Sequence, residues 1–147
     1  MFFDADKDGD LDLFVGTGGN NHPVGSREMQ NRLYLNDGKG NFEINILALP
    51  PNAGNTAVVL AADFDNDGDM DLFVGSRSIP GNYGTAPDSY LLFNDGHGKF
   101  TDIAKTKNPD IANIGLVTGA VMADMTGDQK PELVIVGEWM TPRMFFG

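Results

Sequence analysis

Between Asp63 and Asp71 the chain reads D-F-D-N-D-G-D-M-D, so that Asp63, Asp65, Asp67, Asp69 and Asp71 alternate around a central Gly68. Five carboxylates this close repel one another, and a cation at their centre converts that repulsion into binding energy. Calcium takes six to eight oxygen ligands, which alternating aspartates in a tight loop supply. The glycine permits the positive φ that a chain wrapping around an ion usually needs. The stretch reads as a calcium loop in which Asp63, Asp65 and Asp67 give side-chain oxygens, Asp69 its backbone carbonyl and Asp71 a closing carboxylate.

An EF-hand is the obvious rival, but that loop needs a bidentate Glu at its twelfth position and a helix on each side. The twelfth residue here is Val74, and the flanks Val58-Val59-Leu60 and Leu72-Phe73-Val74 are apolar and rich in β-branched residues, which favours strands. The loop then joins two strands. The plain alternative is a solvated Asp-Gly hairpin without metal, since Asp-Gly is a common turn pair.

Recurrence weighs against a merely decorative turn. Residues 4–12 read D-A-D-K-D-G-D-L-D before Leu13-Phe14-Val15-Gly16. Residues 124–132 read D-M-T-G-D-Q-K-P-E before Leu133-Val134-Ile135-Val136-Gly137. The three starts lie at intervals of about 60 residues, the mark of one supersecondary unit used repeatedly. The repeat extends beyond the loops. Leu33-Tyr34-Leu35-Asn36-Asp37-Gly38-Lys39-Gly40-Asn41-Phe42 returns as Leu91-Leu92-Phe93-Asn94-Asp95-Gly96-His97-Gly98-Lys99-Phe100, which reads as a strand, a turn and a strand.

The elements that must hold the loops are therefore strands. Four antiparallel strands per unit make a propeller blade, and the fold class is all-β: four-stranded antiparallel blades. Residues 1–50 form a partial blade, with strands at 11–16, 31–37 and 41–48 and a leading strand reduced to Met1-Phe2-Phe3. Residues 51–107 form a complete blade, with strands at 56–62, 71–76, 89–94 and 99–104. Residues 108–147 open a third, with strands at 115–123, 132–138 and from Arg143. The linkers at 50–54 and 107–110 fit blade junctions; long helices are not expected, apart from a short turn at 109–114. The chain reads as about two and a half blades of a larger propeller.

The 147 residues, 41% hydrophobic and 21% charged, describe a globular chain. The net charge of −11 argues against nucleic acid and anionic membrane surfaces as partners. There is no cysteine, which excludes disulfides and zinc–cysteine sites. No apolar run is long enough for a membrane span, and no signal peptide is visible.

Other signals are weak. Gly16-Thr17-Gly18-Gly19 lacks the phosphate-loop spacing. His22 and His97 sit in Gly/Asn-rich turns and are expected to face solvent. There is no nucleophile elbow and no H-E-x-x-H. Tyr83 lies in a Gly- and Pro-rich loop expected to pack on the neighbouring blade, and Trp139 is expected to be a packing residue at a strand end.

Taken together, D-x-D-x-D-G-D-x-D-L-F-V-G and L-Y-L-N-D-G-x-G-x-F resemble the FG-GAP/VCBS repeats, and more narrowly the bacterial VCBS-repeat proteins of the ASPIC/UnbV-associated type. The third loop, with D-x-T-G-D and a closing Glu, is closer to the integrin α-like form. The resemblance implies a propeller of about seven blades, calcium in the loops between first and second strands (up to three ions here), and an extracellular, cell-surface or periplasmic setting with adhesion or protein and carbohydrate binding as roles. By position it implies the ligands Asp4, Asp6, Asp8, Asp10 and Asp12; Asp63, Asp65, Asp67, Asp69 and Asp71; and Asp124, Thr126, Asp128, Lys130 through its carbonyl, and Glu132. The expected partners are the remaining blades and a protein or carbohydrate ligand. The leading functional expectation is a non-catalytic binding, adhesion or scaffold module. The alternative is the propeller of an exported polysaccharide lyase or hydrolase. A general acid there needs a pKa raised by apolar burial, whereas a cation keeps these carboxylates ionised.

Overall fold

A computed structural model describes residues 1–146. It contains three antiparallel sheets, each a meander in which every strand pairs with its sequence neighbour. The first sheet holds β1 (Phe2–Phe3), β2 (Asp12–Val15), β3 (Arg32–Asn36) and β4 (Phe42–Ile44). The second holds β5 (Asn55–Ala62), β6 (Asp71–Ser78), β7 (Tyr90–Asn94) and β8 (Phe100–Asp102). The third holds β9 (Leu116–Ala123), β10 (Glu132–Glu138) and β11 (Arg143–Phe145). These are stacked blades of the propeller type, as the repeat implied.

Several details differ from expectation. Phe2 and Phe3 pair with Leu13 and Asp12, so two residues suffice to complete a four-stranded first sheet. β4 and β8 are only three residues long. Residues 104–107, expected as the end of a strand and the start of a linker, instead carry a single-turn helix, α1 (Ala104–Lys107), while a second, α2 (Pro109–Ala112), falls where a short turn was expected. Proline at the first position of α2 suits a helix start because its missing N–H would have had no partner there.

The middle sheet explains why its apolar run does not alternate with polar residues. Side chains of a strand point to opposite faces in turn. Leu72 and Val74 enter a core shared with Phe3, Phe14 and Leu33 of the first sheet, while Phe73 enters a core shared with Val117, Leu133 and Ile135 of the third. A strand covered on both faces must be apolar at every position. The glycines ending the first two runs lie where neighbouring blades approach closely. A Cβ on Gly16 would lie 2.6 Å from Thr56 Cγ2, and one on Gly75 would lie 2.6 Å from Val117 Cγ1. The third repeat has one extra residue before its glycine, and β10 absorbs it in an irregularity between Val136 and Gly137.

Because the acidic loops all join first to second strands, they gather at one end of the stack. The connections β2–β3, β6–β7 and β10–β11 gather at the other. Polar contacts lock adjacent blades: the Asn94 side chain donates to Ala5 O at 2.8 Å, and Phe100 N donates to Ala48 O at 2.7 Å.

Candidate metal centres

The three acidic loops share one backbone design. Their fourth residues, Lys7, Asn66 and Gly127, and their sixth, Gly9, Gly68 and Gln129, all have left-handed φ between 63° and 92°. The first two loops place their glycine at the sixth position. The third places it at the fourth and forces Gln129 into a conformation that costs an L residue roughly 1 kcal/mol. The altered sequence of the third loop therefore moves the strain without changing the path of the chain.

Hydrogen bonds from backbone to carboxylate follow the same offsets. The first aspartate accepts the N–H of the sixth residue: Gly9 to Asp4 at 3.2 Å, Gly68 to Asp63 at 3.0 Å, Gln129 to Asp124 at 2.9 Å. The fifth accepts that of the seventh: Asp10 to Asp8 at 3.0 Å, Asp69 to Asp67 at 2.9 Å, Lys130 to Asp128 at 2.9 Å. The ninth accepts that of the second: Ala5 to Asp12 at 2.7 Å, Phe64 to Asp71 at 3.0 Å, Met125 to Glu132 at 2.7 Å. All three ninth-position carboxylates are buried.

Asp12 and Asp71 carry a second duty. Their other oxygens accept the N–H of Asn36 at 2.9 Å and of Asn94 at 2.8 Å, the residues that open the N-D-G-x-G turns. Each thus ties its loop to the hairpin beside it. Burial pushes the Asp71 carboxyl up from the usual range, an effect that the N–H groups of Asn94 and Phe64 partly offset. Asp6 is also pushed up, first by burial and then by Asp12, Asp8 and Asp4. Asp128 moves the other way, lowered chiefly by the N–H of Lys130.

The donor sets differ. Oxygens of Asp4, Asp6 and Asp8 lie within 4.8 Å of one another, as do those of Asp63, Asp65 and Asp71. Two oxygens each about 2.4 Å from a calcium ion can be no more than ~5 Å apart, so both groups fit one ion. Asp4 Oδ1 is also buried without a hydrogen-bond partner, free to ligate. Among the described residues, Asp124, Asp128 and Glu132 are not gathered to that spacing. Thr126 is drawn to Glu132, its hydroxyl 3.5 Å from Oε1.

In the first two loops the seventh residues, Asp10 and Asp69, direct their carboxylates toward the adjacent N-D-G-x-G turns. A Cβ on Gly96 would lie 2.7 Å from Asp69 Oδ2, and one on Gly38 would lie 3.2 Å from Asp10 Oδ2. Asp69 forms an ion pair with Lys7 of the first loop, linking the two across the blade interface. Sequence spacing gave no sign of that pair, because its partners are about 60 residues apart. A cleft of about 280 Å³ opens between the second and third loops, lined by Phe64, Asn66, Lys130 and Leu133 among others.

At the opposite end, the loop after β6 packs on the third sheet as expected: the Tyr83 hydroxyl donates to Glu138 Oε2, and Arg77 Nη2 donates to Glu138 Oε1 at 2.5 Å. Trp139 departs from expectation. It is 78% exposed rather than packed at a strand end. Its position just beyond β10 turns the ring into solvent, which no pattern in the run E-L-V-I-V-G-E-W could indicate.

Residues 4–74, from the first acidic loop through the strand that follows the second, match a family model described as an FG-GAP-like repeat. No curated protein and no solved structure was found to match the chain. No helix among the described residues is long and apolar enough to cross a membrane.

Proposed function

For a chain that belongs to the FG-GAP repeat family through residues 4–74, we propose the role of a calcium-stabilised, non-catalytic binding or adhesion module. Its setting is outside the cytoplasm, where calcium is plentiful and weak sites of about 10⁻⁴ to 10⁻³ M suffice. The observation that carries this reading is the gathering of three carboxylates in each of the first two loops. Asp4, Asp6 and Asp8, and Asp63, Asp65 and Asp71, hold the ions; Asp12 and Asp67 complete the sets, and Asp10 and Asp69 contribute carbonyls. Calcium would neutralise the repulsion of the loops and so favour the folded chain. In the third loop Asp124, Thr126, Asp128, the Lys130 carbonyl and Glu132 form a weaker set. The outer faces of the first and third sheets, with Phe42 and Ile44 on one and Val121 and Val136 on the other exposed, suit packing against further blades.

At the far end of the stack, away from the acidic loops, nothing favours the enzymatic alternative. Glu138, the carboxylate at the far end with convergent polar neighbours, is held below its usual range by the Tyr83 hydroxyl and Arg77. A proton donor for glycoside cleavage needs the reverse.

The test is a thermal melt in millimolar calcium and again in excess EGTA. A cation that binds only the folded state at a hundredfold its dissociation constant adds about 2.7 kcal/mol, so the midpoints should differ by several degrees. Coincident midpoints would remove the calcium reading.

A further inference from the structure

The end of the stack opposite the acidic loops carries a feature that stability does not explain. Trp139 adopts φ +55°, a backbone conformation unfavourable for a bulky L residue, yet its ring gains little burial in return. The ring is nonetheless held in place. Tyr83 meets it edge-on with centroids 5.7 Å apart, and Gly84 lies so close that an added Cβ would stand 3.3 Å from the indole Cζ3. Tyr83 is in turn fixed by its hydroxyl on Glu138, whose other oxygen takes Arg77. Two loops from two sheets therefore cooperate to present one flat aromatic face to solvent, and strain retained at such a place points to function.

Beside that face the chemistry is polar and balanced. Arg77 and Glu138 pair, so the rim offers donors and an acceptor without net charge. Arg77 also lines an open hollow of about 470 Å³ with Asn55, Ser78 and Thr118, a size within the range of small-ligand sites. An apolar ligand would strand these hydrogen-bonding groups. An anionic polymer would meet a chain of net charge −11. A pyranose satisfies both halves, with C–H groups on one face for the indole and hydroxyls at its edge for the rim.

We propose that Trp139, Tyr83, Arg77 and Glu138, with the adjoining hollow, form a binding site for a neutral glycan. The indole stacks on a sugar ring, and the Arg77–Glu138 pair bonds its hydroxyls. This deepens the binding-module reading and rests on it, but not on its calcium component.

Trp139 is the only tryptophan in the chain, so selectively excited tryptophan fluorescence reports this site alone. The full chain in calcium is titrated with hexasaccharides of glucose, xylose, mannose, galactose and N-acetylglucosamine. At least one should change the emission saturably. By calorimetry, Trp139→Ala should weaken that sugar at least tenfold and Tyr83→Phe severalfold, with melting midpoints confirming that both variants fold. No saturable response to any of the five sugars overturns the proposal, as does binding undiminished in folded Trp139→Ala. A glycan response alongside melts insensitive to EGTA would support this site while removing the calcium reading. Melts that respond to EGTA with no glycan response would do the opposite.

Discussion

The second and third acidic loops follow the same path with different chemistry. Both have left-handed residues at the fourth and sixth positions, and both have first, fifth and ninth side chains accepting the same three backbone N–H groups. Only the second gathers three carboxylates to ion-binding distance. Its ninth residue also has a second anchor, Asn94 N, that Glu132 lacks. The loop conformation is therefore a property of the hydrogen bonds and the two left-handed residues. The gathering of carboxylates is a separate property, set by how many acids remain and where neighbouring strands hold the closing one.

The largest expected effect tests that anchor. Asp71→Ala leaves the N–H groups of Phe64 and Asn94 without partners in a buried setting, at a cost of about 3 kcal/mol. Glu132→Ala releases one such group, so its cost should be about half. Urea denaturation of both variants in EGTA measures the difference without any contribution from metal. Equal losses would mean that the second anchor carries no weight.

Calcium affinity sharpens the comparison next. Affinity rises with ligand charge and loop rigidity, so the expected order is the second loop, then the first, then the third. The second and first each offer four side-chain carboxylates, but the first follows a strand of only two residues, while the third offers three carboxylates and adds the ammonium of Lys130. Calorimetric titration of Asp67→Ala, Asp8→Ala and Asp128→Ala assigns the phases. Removal of the tightest phase by Asp128→Ala would break the charge argument.

A smaller effect concerns the left-handed positions. Gln129→Gly should stabilise the chain by up to about 1 kcal/mol by relieving strain, whereas Gly68→Ala should destabilise it by a similar amount. Thermal melts of the pair should move in opposite directions.

The smallest is a pH effect in the N-D-G-x-G turns that stand beside the first two loops. Asp37 is held below its ordinary 3.8 chiefly by the Asn41 side chain, and Asp95 chiefly by the N–H of His97. A carboxylate with a lowered folded pKa contributes stability that is present above the unfolded value and is lost as pH falls through the folded one. Asp37→Asn and Asp95→Asn should therefore flatten the acid limb of stability below about pH 4 and leave its slope near pH 7 unchanged. A changed slope at neutral pH would count against this assignment.

Much of this molecule was legible in its sequence. The 60-residue repeat, the strand on each side of an acidic loop and the Asn-Asp-Gly turns are local patterns, and local hydrogen bonding realises them wherever they occur. The acidic clusters were legible for the same reason: Asp63, Asp65 and Asp71 are brought together by a loop of nine residues that closes on itself. What only the tertiary structure decided involves residues far apart in the chain. The seventh-position aspartates were readable as carbonyl donors, but the pairing of Asp69 with Lys7 depends on how two blades stack. Gly16 and Gly75 carried no special reading in the sequence, yet they lie where neighbouring sheets approach closely. Trp139 looked like a packing residue at a strand end, because tryptophan is highly buried on average. Its exposure follows from a left-handed turn and from Tyr83 and Gly84, reached from another blade. A sequence records which residues could touch, but stacking of independent sheets determines which do, because contacts between them depend on the rigid-body placement of whole blades rather than on any local conformational preference.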